Sequence, residues 1–286
     1  PTEHSFDTMQ PAVLLPFLYE QTGQNKYAVA ADNMRAVYDT IPKNSEGGYW
    51  HKQTYPNEMW LDSMYMGEPF LAKYGRMRAT CGAFCNDTPV TQLTLIASHT
   101  RDTTTGLLYH AWDADRNATW ANTTTGRSPI IWDRALGWYA MTLVDVLPYL
   151  PSNHPGRAQL LTILSSLAQG LQATQDSAGL WHQVVDQATR TDDFVESSGS
   201  AMFVYALKLA SARGYIAASF ADVAARGYTG LMGQVTMDAT GPVINNAVAG
   251  MGVQVDYANY VNKMRLTNSS HGLCGILLAA SAMESR

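Results

Sequence analysis

One short pattern returns along this chain at the spacing of a helical hairpin. Gly48-Tyr49-Trp50-His51 follows one helical stretch, Gly106-Leu107-Leu108-Tyr109-His110 another, and Gly179-Leu180-Trp181-His182 a third. Each sets an aromatic-His pair shortly after a glycine. Gly241 opens a similar turn without the pair. The interval is roughly 60–70 residues, the length of two helices with their loops, and a fixed period of this kind marks a repeat architecture. Hairpins arranged in a ring would bring these turns to one rim, with His and Trp side chains around a common mouth. Chance recurrence in an aromatic-rich chain is the competing reading. The His in three of the four turns weighs against it.

The segments between the turns read as helices. Tyr27, Ala30, Ala31, Met34, Val37 and Tyr38 follow the helical period, as do Leu160, Leu161, Leu164, Leu167 and Leu171, and again Met202, Phe203, Ala206, Leu207 and Ala210. Gly and Pro clusters punctuate them, and alternating strand patterns are few and short. No linker or composition shift divides the chain, so a single domain over residues 1–286 is expected. Only 15% of residues are charged, the net charge is −5, and no basic patch is visible, which argues against a nucleic-acid partner. No apolar run approaches the length of about 18 residues that a membrane span needs. Four Asn-x-Ser/Thr sequons, at Asn86, Asn117, Asn122 and Asn268, point weakly to a secreted protein. A Cys81–Cys85 loop would fit an oxidising compartment and leave Cys274 free; three unpaired thiols are the equal alternative.

The chemistry concentrates in HKQTYPNEMWLDSMYM, from His51 to Met66. If this segment is helical, Asp62 shares a face with Glu58, Met59, Tyr65 and Met66. A carboxyl buried there without a cationic partner would hold its proton to higher pH, as a proton donor should. A structural Asp bonded to its surroundings is the plain alternative. His51 and Lys52 precede it and could bind an anion. His110, Trp112 and Asp113 form a second cluster, in which Asp113 reads first as a turn residue. In WDRALGWYAM, Trp132 and Arg134 would reach a mouth at the start of a helix while Trp138 lies one turn deeper. Arginine grips carboxylates with two N–H groups, and tryptophan offers an apolar wall to a sugar ring. Core packing and a structural ion pair are the ordinary roles for these residues. Asp7 reads first as a helix N-cap. No metal-ligand, phosphate-loop or Gly-x-Ser-x-Gly motif occurs.

SEGGYWHKQTYPNEMWLDSMYM, HAWD, WDRALGWYAM and GLWHQVVDQ together resemble the unsaturated rhamnogalacturonyl hydrolases, relatives of the unsaturated glucuronyl hydrolases. The similarity runs from about Phe6 to the C-terminus, through EQTGQNKY, ESSGSAMFVYALKLASARGYI and YVNKMRLTNSSHGLCGILLAA. It implies an all-α fold, an α/α toroid of six helical hairpins. Family chains continue ahead of the point matching Phe6, so a ring short of its N-terminal helices is expected. The resemblance implies a pectin-derived oligosaccharide substrate whose non-reducing uronic acid carries a C4=C5 double bond, and no cofactor. It implies hydration of that enol ether, with Asp62 as general acid and base and Asp7 as the second carboxylate. His51, Lys52, Trp60, His110, Trp132, Arg134 and Trp138 match substrate-binding positions. Asp133 replaces a small residue of the family, where its carboxylate would pair with Arg134 or repel a uronate. A glycosidase on saturated sugars, using Asp62 with Asp113 or Asp7, is one alternative. A non-catalytic carbohydrate-binding toroid is the other.

Overall fold

The structure, a computed structural model, describes residues 4–284. Its helices are α1 (Phe6–Met9), α2 (Leu15–Thr22), α3 (Asn25–Val37), α4 (Leu61–Met77), α5 (Gly82–Thr100), α6 (Asp133–Val146), α7 (Arg157–Thr174), α8 (Ser197–Ala212), α9 (Phe220–Gly233), α10 (Tyr257–Val261) and α11 (Ser270–Glu284). Six short strands accompany them: β1 (Glu58–Trp60), β2 (Ala111–Asp113), β3 (Val235–Asp238), β4 (Gly241–Ile244), β5 (Ala247–Val248) and β6 (Arg265–Leu266). They form three two-stranded antiparallel ribbons, β1 with β2, β3 with β4 and β5 with β6.

Helices α4, α6, α8 and α11 pack side by side as the inner layer of an α/α toroid. Their sequences say why. Almost every residue of α6 and most of those in α8 are buried, so beyond their first turns both are largely apolar or small, as an enclosed helix must be. The outer helices carry a one-sided stripe instead. On α7, Leu160, Ile163, Leu164, Leu167 and Leu171 are buried, at the expected helical period. Helices α4–α5, α6–α7 and α8–α9 are consecutive inner–outer pairs, and α1 to α3 pack on α4. The disulfide Cys81–Cys85 closes the start of α5, and Cys274 is free.

The recurring turns do lie on one rim, and backbone hydrogen bonds define their common frame. The Asn44, Asp102 and Asp176 N–H groups donate to Gly48 O, Leu107 O and Leu180 O, and the Gly47, Gly106 and Gly179 N–H groups donate back. All three of those glycines have positive φ. At Gly179 the constraint is double, because a Cβ would also stand 2.4 Å from Arg226 O on α9. In this frame the third residue beyond Gly48, Leu107 and Leu180 is His51, His110 and Gln183. His182 therefore falls one place short of the other two histidines and sits between Asp176 and Asp193, at 3.6 and 4.0 Å. The second turn has one residue more than the first and third, which disguises the register. Gly241 belongs to the β3–β4 hairpin rather than to a rim turn of this kind.

The rim also corrects the reading of residues 58–62. Glu58 and Met59 are in β1, and the helix starts only at Leu61. Pairing of Trp60 with Ala111, and the Leu61 N–H bond to His110 O at 3.0 Å, tie the first two turns together. Tyr65 and Met66 keep the expected helical relation to Asp62; Glu58 and Met59 do not.

Candidate active site

A cavity of about 360 Å³ opens where the inner helices begin. Asp7 reaches it from α1, His51 and Lys52 from the first rim turn, Trp60 from β1, Asp62 and Met66 from α4, and Trp132, Arg134 and Trp138 from the start of α6. Tyr55, Gly250, Met251, Gly252 and His271 complete the lining. Of the catalytic and substrate-binding residues that the family resemblance implied, His110 alone stays out of the lining; Trp112, Asp113 and Asp133, also singled out from sequence, do not line it either. His110 is fully buried directly behind Asp62.

Asp62 occupies the first turn of α4, where the helix N-terminus favours an anion. His110 Nε2 lies 3.2 Å from Asp62 Oδ2. Burial pushes this carboxyl up, but the His110 imidazole beside it, with a smaller contribution from His51, outweighs burial and holds it below the usual range. The expectation of a proton retained to higher pH is thus corrected: it assumed burial without a compensating partner, and the structure sets an imidazole 3.2 Å from the carboxyl. His110 Nδ1 is 2.8 Å from the Tyr260 hydroxyl, which also accepts the Gln254 N–H at 3.3 Å. With the Tyr260 O–H donating to Nδ1, the neutral ring carries its proton on Nε2, toward Asp62.

Asp7 is half-exposed and does not act as a side-chain cap of α1, whose N-cap is Ser5. Its carboxylate contacts Lys52 Nζ at 2.7 Å and faces His51 Nε2 at 3.8 Å. Burial drives His51 down to about 4, against the opposing pull of Asp7 and Asp62. The ring is therefore neutral at pH 7, with Nδ1 held 2.8 Å from Ser63 Oγ. His51, Trp60 and Tyr55 form one stack, with centroids 4.1 and 5.1 Å apart.

Arg134 is 1% exposed and densely bonded. It donates to Ser198 Oγ at 2.7 Å, Glu196 Oε1 at 3.2 Å, Ala249 O at 3.4 Å and the Val248 carbonyl. Glu196 also takes N–H bonds from Gly199 and Val248, at 2.7 and 2.8 Å. Burial pushes Glu196 up, yet Arg134 and these donors hold it below the usual carboxylate range. Arg134 thus fastens α6 to α8 and to the segment after β5 while one edge faces the cavity. Asp133 neither pairs with this guanidinium nor lines the cavity. Its Oδ1 accepts the Arg134 backbone N–H at 2.6 Å. Burial and the neighbouring Glu196 push it far up, so it is a neutral acid. The Trp132 indole N–H is bonded to Gln183 at 3.0 Å, and Trp138 stacks on Tyr65 at 4.8 Å.

Sequence reasoning missed Glu196, Tyr260, Gly250, Gly252 and His271. Glu196 carried a signal: it is an acidic N-cap three residues before Gly199, at the head of an apolar run. Gly-Met-Gly at residues 250–252 signalled a close backbone approach. Tyr260 and His271 gave none. Among the described residues, no group of three or more His, Cys, Asp and Glu side chains is arranged to hold a metal ion.

Carboxylate, imidazole, guanidinium and indole groups around one sugar-sized hollow have counterparts in known proteins. The model of Glycosyl Hydrolase Family 88 matches residues 1–286. Protein Atu3128 of Agrobacterium fabrum is 40% identical over 151 residues, covering 53% of this chain and 63% of that protein. The unsaturated rhamnogalacturonyl hydrolase YesR of Bacillus subtilis is 30% identical over 199 residues, covering 68% of this chain and 54% of that enzyme. The chain thus spans less than two thirds of the length of these curated relatives. A solved glycoside hydrolase of family 105 from C. acetobutylicum superposes with a TM-score of 0.93 at 35% identity, covering 99% of this chain and 81% of that one.

Proposed function

The chain belongs to Glycosyl Hydrolase Family 88, and from that premise we propose that it releases a C4=C5 unsaturated uronic acid from the non-reducing end of pectin-derived, rhamnogalacturonan-type oligosaccharides. The observation that carries this reading is the Asp62–His110 pair at 3.2 Å, with Asp62 on the cavity side and His110 behind it. The relative YesR, an unsaturated rhamnogalacturonyl hydrolase, supports the substrate class.

The chemistry follows from the substrate. In the enol ether, electrons from the ring oxygen make C4 basic. A proton passes to C4, and the positive charge that develops is shared between C5 and the ring oxygen. Water adds to C5 and gives up its proton to the same carboxylate. The hemiketal then opens at the bond between C5 and the ring oxygen, and the exposed hemiacetal at C1 expels the neighbouring sugar. One carboxyl does both proton transfers. In the resting site Asp62 is ionised, the form that accepts the water proton. The cycle starts from Asp62 that has taken a proton from solvent, and the proton given up by water restores that form; His110 Nε2, 3.2 Å away, orients the carboxyl. Asp7 and Lys52 line the cavity as an ion pair, and Arg134 presents its edge to the substrate carboxylate or a ring hydroxyl. Trp60 and Trp138 supply apolar walls. The Cys81–Cys85 bond supports an oxidising compartment as the place of action.

A panel of lyase-generated disaccharides tests the substrate class. Loss of the near-ultraviolet absorbance of the double bond is expected with unsaturated galacturonosyl-rhamnose, and no sugar release from its saturated counterpart. Cleavage of the saturated sugar at an equal rate would favour an ordinary glycosidase using Asp62 and Asp7.

A further inference from the structure

A second recess, of about 240 Å³, shares a wall with the candidate active site. Tyr55, Trp60 and Gly252 line both hollows. Gly252 forms the neck between them: a Cβ there would stand 3.1 Å from the Trp60 ring. Beyond the neck the walls are aromatic and apolar, from Trp60, Trp120 and Val253. One buried polar side chain faces in. Glu58 is only 8% exposed, and its Oε2 accepts the Trp60 indole N–H at 2.7 Å. Nothing in the proposed reaction uses Glu58 or Trp120.

We infer that this recess is a subsite for one further sugar ring of the leaving oligosaccharide, stacked on Trp120 and hydrogen-bonded through a hydroxyl to Glu58. An aromatic face beside a single hydrogen-bonding group matches a pyranose, which has an apolar face and a hydroxylated edge. Asp113, held by three backbone N–H bonds, adds negative charge close to Glu58. The recess therefore suits an uncharged ring better than a uronate. Burial pushes Glu58 up to about 7, so near neutrality its carboxyl both donates and accepts.

This inference rests on the function proposed above, and one experiment separates the two. The kcat/KM of the unsaturated disaccharide is compared with that of an unsaturated trisaccharide whose third ring is neutral. An advantage of roughly fivefold to tenfold for the trisaccharide is expected, the worth of one aromatic stacking contact. Thr119 sits on the exposed lip of the recess. Thr119→Trp should fill the recess and Trp120→Leu should strip its wall. Both should erase the advantage and leave disaccharide turnover within about twofold. Disaccharide turnover with no trisaccharide advantage, or an advantage surviving both variants, overturns the subsite alone. No turnover of either substrate overturns the functional reading and the subsite with it.

Discussion

Asp62 lies largely out of solvent, and burial alone would keep it protonated. His110 reverses that outcome from 3.2 Å away. Removing the imidazole leaves burial as the largest influence, so His110→Gln should raise the Asp62 pKa. The alkaline limb of the kcat–pH profile should then move to higher pH, while the maximal rate falls because the carboxyl loses the group that orients it. An unchanged limb would separate Asp62 from the titration. The identity of Asp62 was legible in MWLD and its surroundings. Its ionisation was not, because His110 lies far along the chain and reaches Asp62 only once β2 pairs with β1. The same distance hid Glu196 as the partner of Arg134. Asp133, adjacent in sequence, was the natural but mistaken choice.

Helix α4 carries a second buried carboxyl, Glu68, with neither oxygen hydrogen-bonded among the described residues. Burial pushes it up to about 8. Below the ordinary value of 4.5 both folded and unfolded chains hold this proton. Between 4.5 and 8 the unfolded chain releases it and the folded chain keeps it, so stability falls as pH rises through that window. Glu68→Gln removes this loss, on the order of a few kcal/mol. Its advantage over wild type in chemical unfolding should be small at pH 5 and largest near pH 8. An equal advantage at both values would contradict the titration.

Helices α6 and α8 meet through Arg134 and Glu196. Glu196→Ala would leave a buried guanidinium uncompensated and take away the α8 cap, with an expected loss of about 3–5 kcal/mol in urea unfolding. A loss below about 1 kcal/mol, the range of surface pairs, would show that the pair is not desolvated. The helical periods of α3, α7 and α8 were readable because their apolar faces repeat locally. The boundary at Leu61 was not, because β1 exists only through its partner strand.

At the scale of the molecule, the rim joins the hairpins. Each Gly-bearing turn positions the residue that follows it, which is why His51, His110 and Gln183 occupy equivalent places around the mouth. Gly179→Ala combines a positive φ with a Cβ 2.4 Å from Arg226 O. It should lower stability by more than about 1 kcal/mol, measured as a fall in Tm; an unchanged Tm would mean the turn does not seat on α9. The repeat itself was visible in the sequence. Its register was obscured by one additional residue in the second turn, so only hydrogen bonds reveal that Gln183, not His182, continues the series. The central claim is that Asp62 protonates an enol ether, and the rate of ultraviolet bleaching of an unsaturated galacturonosyl-rhamnose disaccharide tests it most directly. Wild type should bleach the substrate and Asp62→Asn should be slower by roughly 10²–10⁴-fold, whereas no bleaching by wild type, or undiminished bleaching by the variant, would contradict it.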